Sequence, residues 1–189
     1  MTNLLVDGKW KDAKSTQTII DPLNGEQFIQ VPNTSEAELQ EFRDSFLKCP
    51  DYGLHNPFLE PQSYAEIGEV AFKAASALTN PEVREFFVKA IQRVCPKSTK
   101  QAEFEVDQVT LFLKNISGDG ARYINKGWTT AGDRSGQQYQ GYRWPFGPTM
   151  HVAPFNYPLR IPAIQLFSAA LCGNKVTVNV DSRVSIVVE

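Results

Sequence analysis

The spacing of apolar positions changes along the chain, and each change marks a different kind of element. Residues 4–31 carry short apolar runs broken by two turn-forming pairs, Asp7-Gly8 and Asn24-Gly25, which predict two β-hairpins. Ser35 and Glu38 have capping-box spacing and open a helix with a loose stripe of Ala37, Phe42, Phe46 and Leu47. Residues 49–60 are punctuated by proline and glycine and predict a loop. Tyr64, Ile67, Val70, Ala71, Ala74, Ala75 and Leu78 then recur at helical spacing. Asn80-Pro81 supplies a cap and a first-turn proline for the next helix, which carries Val83, Phe86, Phe87, Ala90, Ile91 and Val94 as far as Cys95-Pro96. Ser98 with Gln101 opens another, expected to bury Ala102, Val106, Val109 and Leu113 and to run to about Tyr123. Residues 127–138 are polar and predict a loop, and residues 139–144 an extended arm that ends at Pro145. The aromatic residues of these segments are expected in the core.

The last forty residues change the picture. Residues 149–153 predict a short strand, and Pro154 and Pro158 bracket a turn. Residues 159–171 predict a helix in which Pro162 is tolerable only in the first turn, and Cys172-Gly173-Asn174 predicts its stop. Residues 175–180 predict a second strand. Asp181-Ser182 is expected to cap a new helix beginning with Val184, Ile186 and Val187. Strand, turn, helix and strand make a βαβ unit near the minimum size for a parallel crossover, so the predicted fold class is α/β. Ligands of such sheets bind beyond the carboxyl ends of the strands, here Phe155-Asn156 and residues 179–182. The dinucleotide fingerprint G-x-G-x-x-G is absent; Gly118-Asp119-Gly120 is followed by Tyr123 where the third glycine belongs. An asparagine between two prolines is read either as a turn former or as a functional residue.

Composition narrows the function classes. The chain has 189 residues, 42% apolar and 21% charged, which is globular rather than disordered, and a formal net charge of −2. Lys89, Arg93, Lys97 and Lys100 come nearest to a basic stripe and read as a solvated face, so no nucleic-acid partner is expected. Cys49, Cys95 and Cys172 form no C-x-x-C pair, which argues against a disulfide framework and against a zinc site. No metal is expected. His55 and His151 lack a serine, cysteine or metal-ligand partner at useful spacing and read as packing residues. Sequons at Asn33 and Asn115 follow no secretory signal. No apolar run approaches the ~20 residues of a membrane span. The literal N-terminus implies a cytoplasmic, untargeted protein with no membrane contact; a missing presequence would place it in the mitochondrial matrix.

Three groups of residues, taken together, carry a family resemblance: Trp144-Pro145-Phe146-Gly147-Pro148, Ala153-Pro154-Phe155-Asn156-Tyr157-Pro158-Leu159, and Gly173-Asn174-Lys175. In order and spacing they resemble the aldehyde dehydrogenase superfamily. The opening Val6-Asp7-Gly8-Lys9-Trp10 and Asp21-Pro22-Leu23-Asn24-Gly25-Glu26 are similar to that family's first hairpins, so the resemblance covers essentially the whole chain. Within the superfamily, Asn56-Pro57-Phe58, residues 91–98, Gly136-Gln137-Gln138, residues 141–144 and residues 180–186 look most like the plant-type pyrroline-5-carboxylate dehydrogenases.

The resemblance implies oxidation of an aldehyde to an acid with NAD as cofactor: a cysteine thiolate attacks the carbonyl, hydride passes to the nicotinamide, and a glutamate-activated water releases the acid. It implies that Asn156 donates its carboxamide to the developing oxyanion. Val152, Ala153, Pro154 and Phe155 would line the cofactor cleft. Asn179 stands where the family usually has a lysine gripping the adenosine ribose, and Ser182 stands where the family varies with NAD or NADP use. None of the three cysteines matches the nucleophile's position, and the general base is not assignable in these residues. The implied organisation is hairpins and helices over residues 1–140, an oligomerisation-type arm over 141–148, and the first βαβ of the NAD-binding domain over 149–189. An aldehyde substrate and a homo-oligomer are the implied partners. Two readings follow: the leading part of a dehydrogenase that converts pyrroline-5-carboxylate, as glutamate semialdehyde, to glutamate, or a non-catalytic relative that keeps the oligomer arm. Under the first, Val176, Val178, Val180, Val184, Ile186 and Val187 are expected to lack most of their covering.

Overall fold

The structure is a computed structural model that describes residues 3–188. Strands β1 (Asn3–Val6) and β2 (Lys9–Asp12) form the first predicted hairpin. Its two turn residues, Asp7 and Gly8, both have positive φ, 48° and 73°, which is what a two-residue turn matching strand twist requires. Strands β3 (Thr16–Ile20) and β4 (Gln27–Pro32) form the second hairpin, with a register shift at Ile19/Ile20. The buried carboxylate of Asp21 accepts the Leu23 N–H at 2.9 Å and pairs with Arg93.

Helix α1 (Glu36–Leu47) starts at the expected capping box of Ser35 and Glu38. Helices α2 (Ser63–Leu78), α3 (Pro81–Val94) and α4 (Thr99–Asn115) follow, the last two capped by Asn80 and by the Ser98–Gln101 box. Helix α4 continues through a π-helical turn (Ile116–Gly120) into the short α5 (Ala121–Ile124), as far as the periodicity reached. Gly68 lets α2 approach that turn: a Cβ there would lie 2.9 Å from the Ser117 carbonyl oxygen.

Residues 127–138 are not a plain loop. β5 (Trp128–Ala131) pairs antiparallel with β6 (Gln138–Gly141), so a third hairpin precedes the arm. Its strands are exposed on both faces apart from Gly141, so no apolar alternation marked them in the sequence.

β7 (Pro148–Ala153) and β8 (Lys175–Val180) are parallel and joined by α6 (Arg160–Leu171), which touches both strands and holds Pro162 in its first turn. The predicted crossover is therefore present. Its register pairs Val152 with Asn179 and Ala153 with Val180. Asn174, at the helix stop, donates to the Ala169 carbonyl at 3.0 Å and accepts the Phe146 N–H at 2.7 Å, which pins the arm to α6. Gly173 is in the left-handed region, and a Cβ there would collide with the buried His55 ring.

The core joins α2, α3, α4 and α6. Ala71, Ala75, Ile91, Ala102, Val106, Val109 and Leu113 are almost wholly buried, including all four positions expected on α4. Two expectations fail here. Val184 and Val187 are each 2% exposed, because the 3₁₀ turn Ser185–Val187 folds back onto α3. Asp181 accepts the Arg183 N–H in a local turn, and no α-helix begins at Ser182 among the described residues. The aromatic residues also depart from expectation. Tyr64 is buried, but Phe58, Phe72, Phe86, Phe104, Trp128 and Phe146 are exposed, as are the helical apolar residues Val70 and Leu111. Phe58 meets Tyr142 edge-on and Trp128 lies beside Arg143, but both rings stay more than half exposed.

Candidate functional site

Two parallel strand ends and the turn after β7 form one edge. Val152 and Asn179 are register neighbours and both exposed; Ala153, the next residue of β7, is buried beside Val180. Along β7 the exposed set is Pro148, Met150 and Val152, and the covered set is Thr149, His151 and Ala153. The open face therefore carries Val152 and Asn179, and the covered face is the one that α6 supports.

Beyond the strand ends, residues 154–158 turn into α6. Pro158 and Leu159 are buried anchors, whereas Phe155, Asn156 and Tyr157 are exposed. The Asn156 carboxamide makes no hydrogen bond to the described residues and is free to donate to a ligand. The Arg183 guanidinium sits 4.5 Å from the Phe155 ring centroid and pairs with Asp181 at 2.6 Å, so the two strand-end turns touch. That pairing, a side-chain hydrogen bond first of all, lowers the Asp181 carboxyl below its ordinary range. Ser182 lies within the same turn, its carbonyl accepting the Ser185 hydroxyl at 3.5 Å. Val152, Ala153, Pro154, Phe155, Asn156, Asn179 and Ser182 are thus gathered at one edge of the fold.

The turn is held from below by Glu105, Lys97 and Cys95, none of which the sequence assigned to the site. Glu105 on α4 is fully buried. Its Oε1 accepts the N–H groups of Leu159 and Arg160 at 2.9 and 3.0 Å, and its Oε2 accepts the Lys97 ammonium at 2.5 Å. Lys97 lies 4.2 Å from the Tyr157 ring centroid. The buried Cys95 thiol reaches the carbonyl oxygens of Phe155 and Asn156 at 4.0 and 3.9 Å. A signal for Glu105 existed: it stands between Ala102 and Val109 on the apolar face of α4, where a lone carboxylate needs a partner. Lys97 is not part of a solvated face, since its side chain is only 13% exposed. Arg93 departs from that reading too, being paired with Asp21 and stacked 4.6 Å from Phe28.

The other candidates stay apart from this edge. His55 is buried edge-on against Tyr64, and desolvation lowers its pKa. Burial raises the Cys172 thiol above its ordinary range. No cluster of metal-ligating side chains occurs among the described residues, and none of their helices is long and apolar enough to cross a membrane. A cleft of about 340 Å³ between the α2–α3 junction and α4, lined by Leu78, Arg84, Asp107 and Lys114, lies away from the strand ends.

Comparison with known proteins accounts for this arrangement. The profile of the aldehyde dehydrogenase family matches residues 10–189. The chain is 48% identical, over 97% of its length, to delta-1-pyrroline-5-carboxylate dehydrogenase 12A1, mitochondrial, of Arabidopsis thaliana, and covers 33% of that protein. It is 47% identical, over 98% of its length, to a probable aldehyde dehydrogenase of Linum usitatissimum, and covers 34% of it. The chain thus spans about a third of the length of these curated relatives. Among solved structures, a NAD-dependent benzaldehyde dehydrogenase from Corynebacterium glutamicum superposes with a TM-score of 0.80 at 19% identity, covering 98% of this chain and 38% of that one. Proline utilization A from Bdellovibrio bacteriovorus superposes equally well, with a TM-score of 0.80 at 15% identity over 99% of this chain and 19% of that one. The hairpins, the helical layer and the parallel crossover are those of these enzymes, and the chain belongs to the aldehyde dehydrogenase family.

Proposed function

We propose that residues 1–189 contribute the oxyanion donor and the first wall of the dinucleotide cleft to NAD-dependent oxidation of 1-pyrroline-5-carboxylate, through glutamate semialdehyde, to glutamate. The observation that supports this reading is the exposed, unpartnered Asn156 carboxamide on a braced turn at a parallel strand end, in a chain 48% identical to a dehydrogenase named for that substrate. Bound NAD would supply the hydride acceptor. The chain's own residues do the rest of what falls to this segment. Asn156 is a neutral donor whose turn is fixed before charge develops on the carbonyl oxygen, which is how such donors lower a barrier. Val152, Pro154 and Phe155 give the cleft an apolar floor with Ala153 buried behind it, and Asn179 and Ser182 offer hydrogen bonds at the ribose end. The arm over 141–148 is assigned to subunit contact, which the 90% exposure of Phe146 supports. The matrix is the compartment that goes with this reading, since the Arabidopsis relative is named as mitochondrial.

The uncharged Asn179 favours a second reading, a non-catalytic family member that serves assembly. A hybrid separates the two: residues 1–189 replace the matching segment of the Arabidopsis dehydrogenase. The hybrid is expected to form NADH from pyrroline-5-carboxylate, and Asn156→Ala to lower kcat by about 10²–10³ with little change in KM. A folded hybrid without turnover, beside an active parent, leaves the non-catalytic reading standing. Asn179→Lys is expected to tighten NAD binding; an unchanged affinity removes residue 179 from the cofactor contact.

A further inference from the structure

We infer that Glu105 and Lys97 form a positioning pair that aims the Asn156 carboxamide through the first turn of α6. The inference rests on the reading of Asn156 as an oxyanion donor and extends it to residues that touch neither substrate nor cofactor. Helix α6 has no capping side chain of its own: Leu159 occupies the cap position and makes no side-chain bond. The first N–H groups of a helix need acceptors. Here the Glu105 carboxylate, 54 residues away in sequence from Leu159, takes the N–H groups of Leu159 and Arg160. Its negative charge also faces the positive end of the helix dipole.

Lys97 closes the arrangement from the other side. It neutralises Glu105 and lies over the ring of Tyr157, the residue directly after Asn156. Cys95 touches the carbonyl oxygens of Phe155 and Asn156. Asn156 is therefore flanked on both sides by residues that the 95–105 segment grips, while its carboxamide has no partner of its own among the described residues. Its aim depends on the backbone turn alone.

A structural cap does not require this much. A serine or asparagine at the cap position would supply an acceptor without burying charge, and a buried ion pair carries a desolvation penalty that often cancels its attraction. What the pair adds is direction. It ties α4 and the 95–98 segment to one turn, so that the donor stands in place before reaction, which is the condition for electrostatic preorganisation.

The test is a double-mutant cycle in the hybrid described above. Lys97→Met is expected to lower kcat by about tenfold or more, with the KM for pyrroline-5-carboxylate and the Kd for NAD within about twofold, and Lys97→Arg to recover most of the loss. In the Asn156→Ala background, Lys97→Met is expected to change kcat by less than about twofold, because a positioning residue acts only through what it positions. An equal loss in both backgrounds overturns the inference and leaves the donor role of Asn156 intact. An Asn156→Ala hybrid with full kcat overturns the donor role, and the inference with it. Should the Lys97→Met hybrid not fold, the milder Lys97→Gln decides by NMR of the 189-residue chain. Lys97→Gln is then expected to shift the Asn156 carboxamide resonances and speed exchange of the Leu159 and Arg160 amides, and Lys97→Arg to do neither. Unmoved resonances at 155–160 overturn the inference.

Discussion

The buried stripe of the helical layer and the open face of the parallel strand pair use apolar residues with opposite results. On α2–α4, one stripe of each helix closes against the others, and Ala71, Ile91 and Val106 retain no exposure. On β7, Met150 and Val152 are 59% and 67% exposed although the strand is as apolar as the helices. The difference is geometric. A helix has one stripe to cover, and two neighbours cover it. A parallel strand has two faces and is normally sandwiched; β7 and β8 have α6 against one, and the other carries Val152 and Asn179. The buried region fixes the fold, and the open face is where the cofactor cleft is proposed. They meet at Glu105, a core residue that caps the helix following the site turn.

Substitutions can break this contrast. Ile91→Ala, in the fully buried layer, is expected to lower unfolding free energy by about 2–5 kcal/mol through lost burial and a residual cavity. Urea denaturation measures it; a loss under 1 kcal/mol would mean that the layer is not the core. Ser98→Ala removes the hydroxyl that accepts the Gln101 N–H and is expected to cost about 1 kcal/mol. The same denaturation series, with Ser98→Asp as the near-neutral control, reads it.

Acid sharpens the picture on the hairpin side. The Glu38 carboxyl is held down to about 2, against an ordinary 4.5, first by the Ser35 hydroxyl and then by the N–H groups of Lys14 and Ser35. A carboxyl lowered in the folded state stabilises the fold fully above pH 4.5, and that contribution is lost as pH falls towards 2. Thermal midpoints measured down that range are expected to fall less steeply in Glu38→Gln than in the parent; parallel slopes would remove Glu38 from the account. The smallest effect belongs to the open strand face. Met150→Thr is expected to stay within about 0.5 kcal/mol of the parent, since nothing among the described residues covers that position. A cost like that of Ile91→Ala would show that the face is covered in solution, for instance by a second copy.

Much of the fold was legible because its signals are local. The two opening hairpins follow from Asp-Gly and Asn-Gly, and the helix starts from Ser35, Asn80 and Ser98, each a side chain that satisfies backbone groups within three residues of itself. The crossover was legible from two apolar runs around a proline-bracketed turn. The hairpin β5–β6 was not, because strands exposed on both faces leave no period. Exposed Phe86 and Phe104 were misassigned to the core because periodicity says which positions share a face and not whether anything covers that face.

The sequence by itself determined most of the elements, the family resemblance and the place of Asn156 at a strand end. Only the tertiary structure decided what holds that residue. Glu105 and Lys97 reach the turn from across the fold, and a charge on an apolar stripe says that a partner is needed without saying which. Leu159 and Arg160 offer only backbone N–H groups, which every residue except proline has and which leave no mark in a sequence. Packing alone brings the carboxylate and those groups within hydrogen-bonding distance.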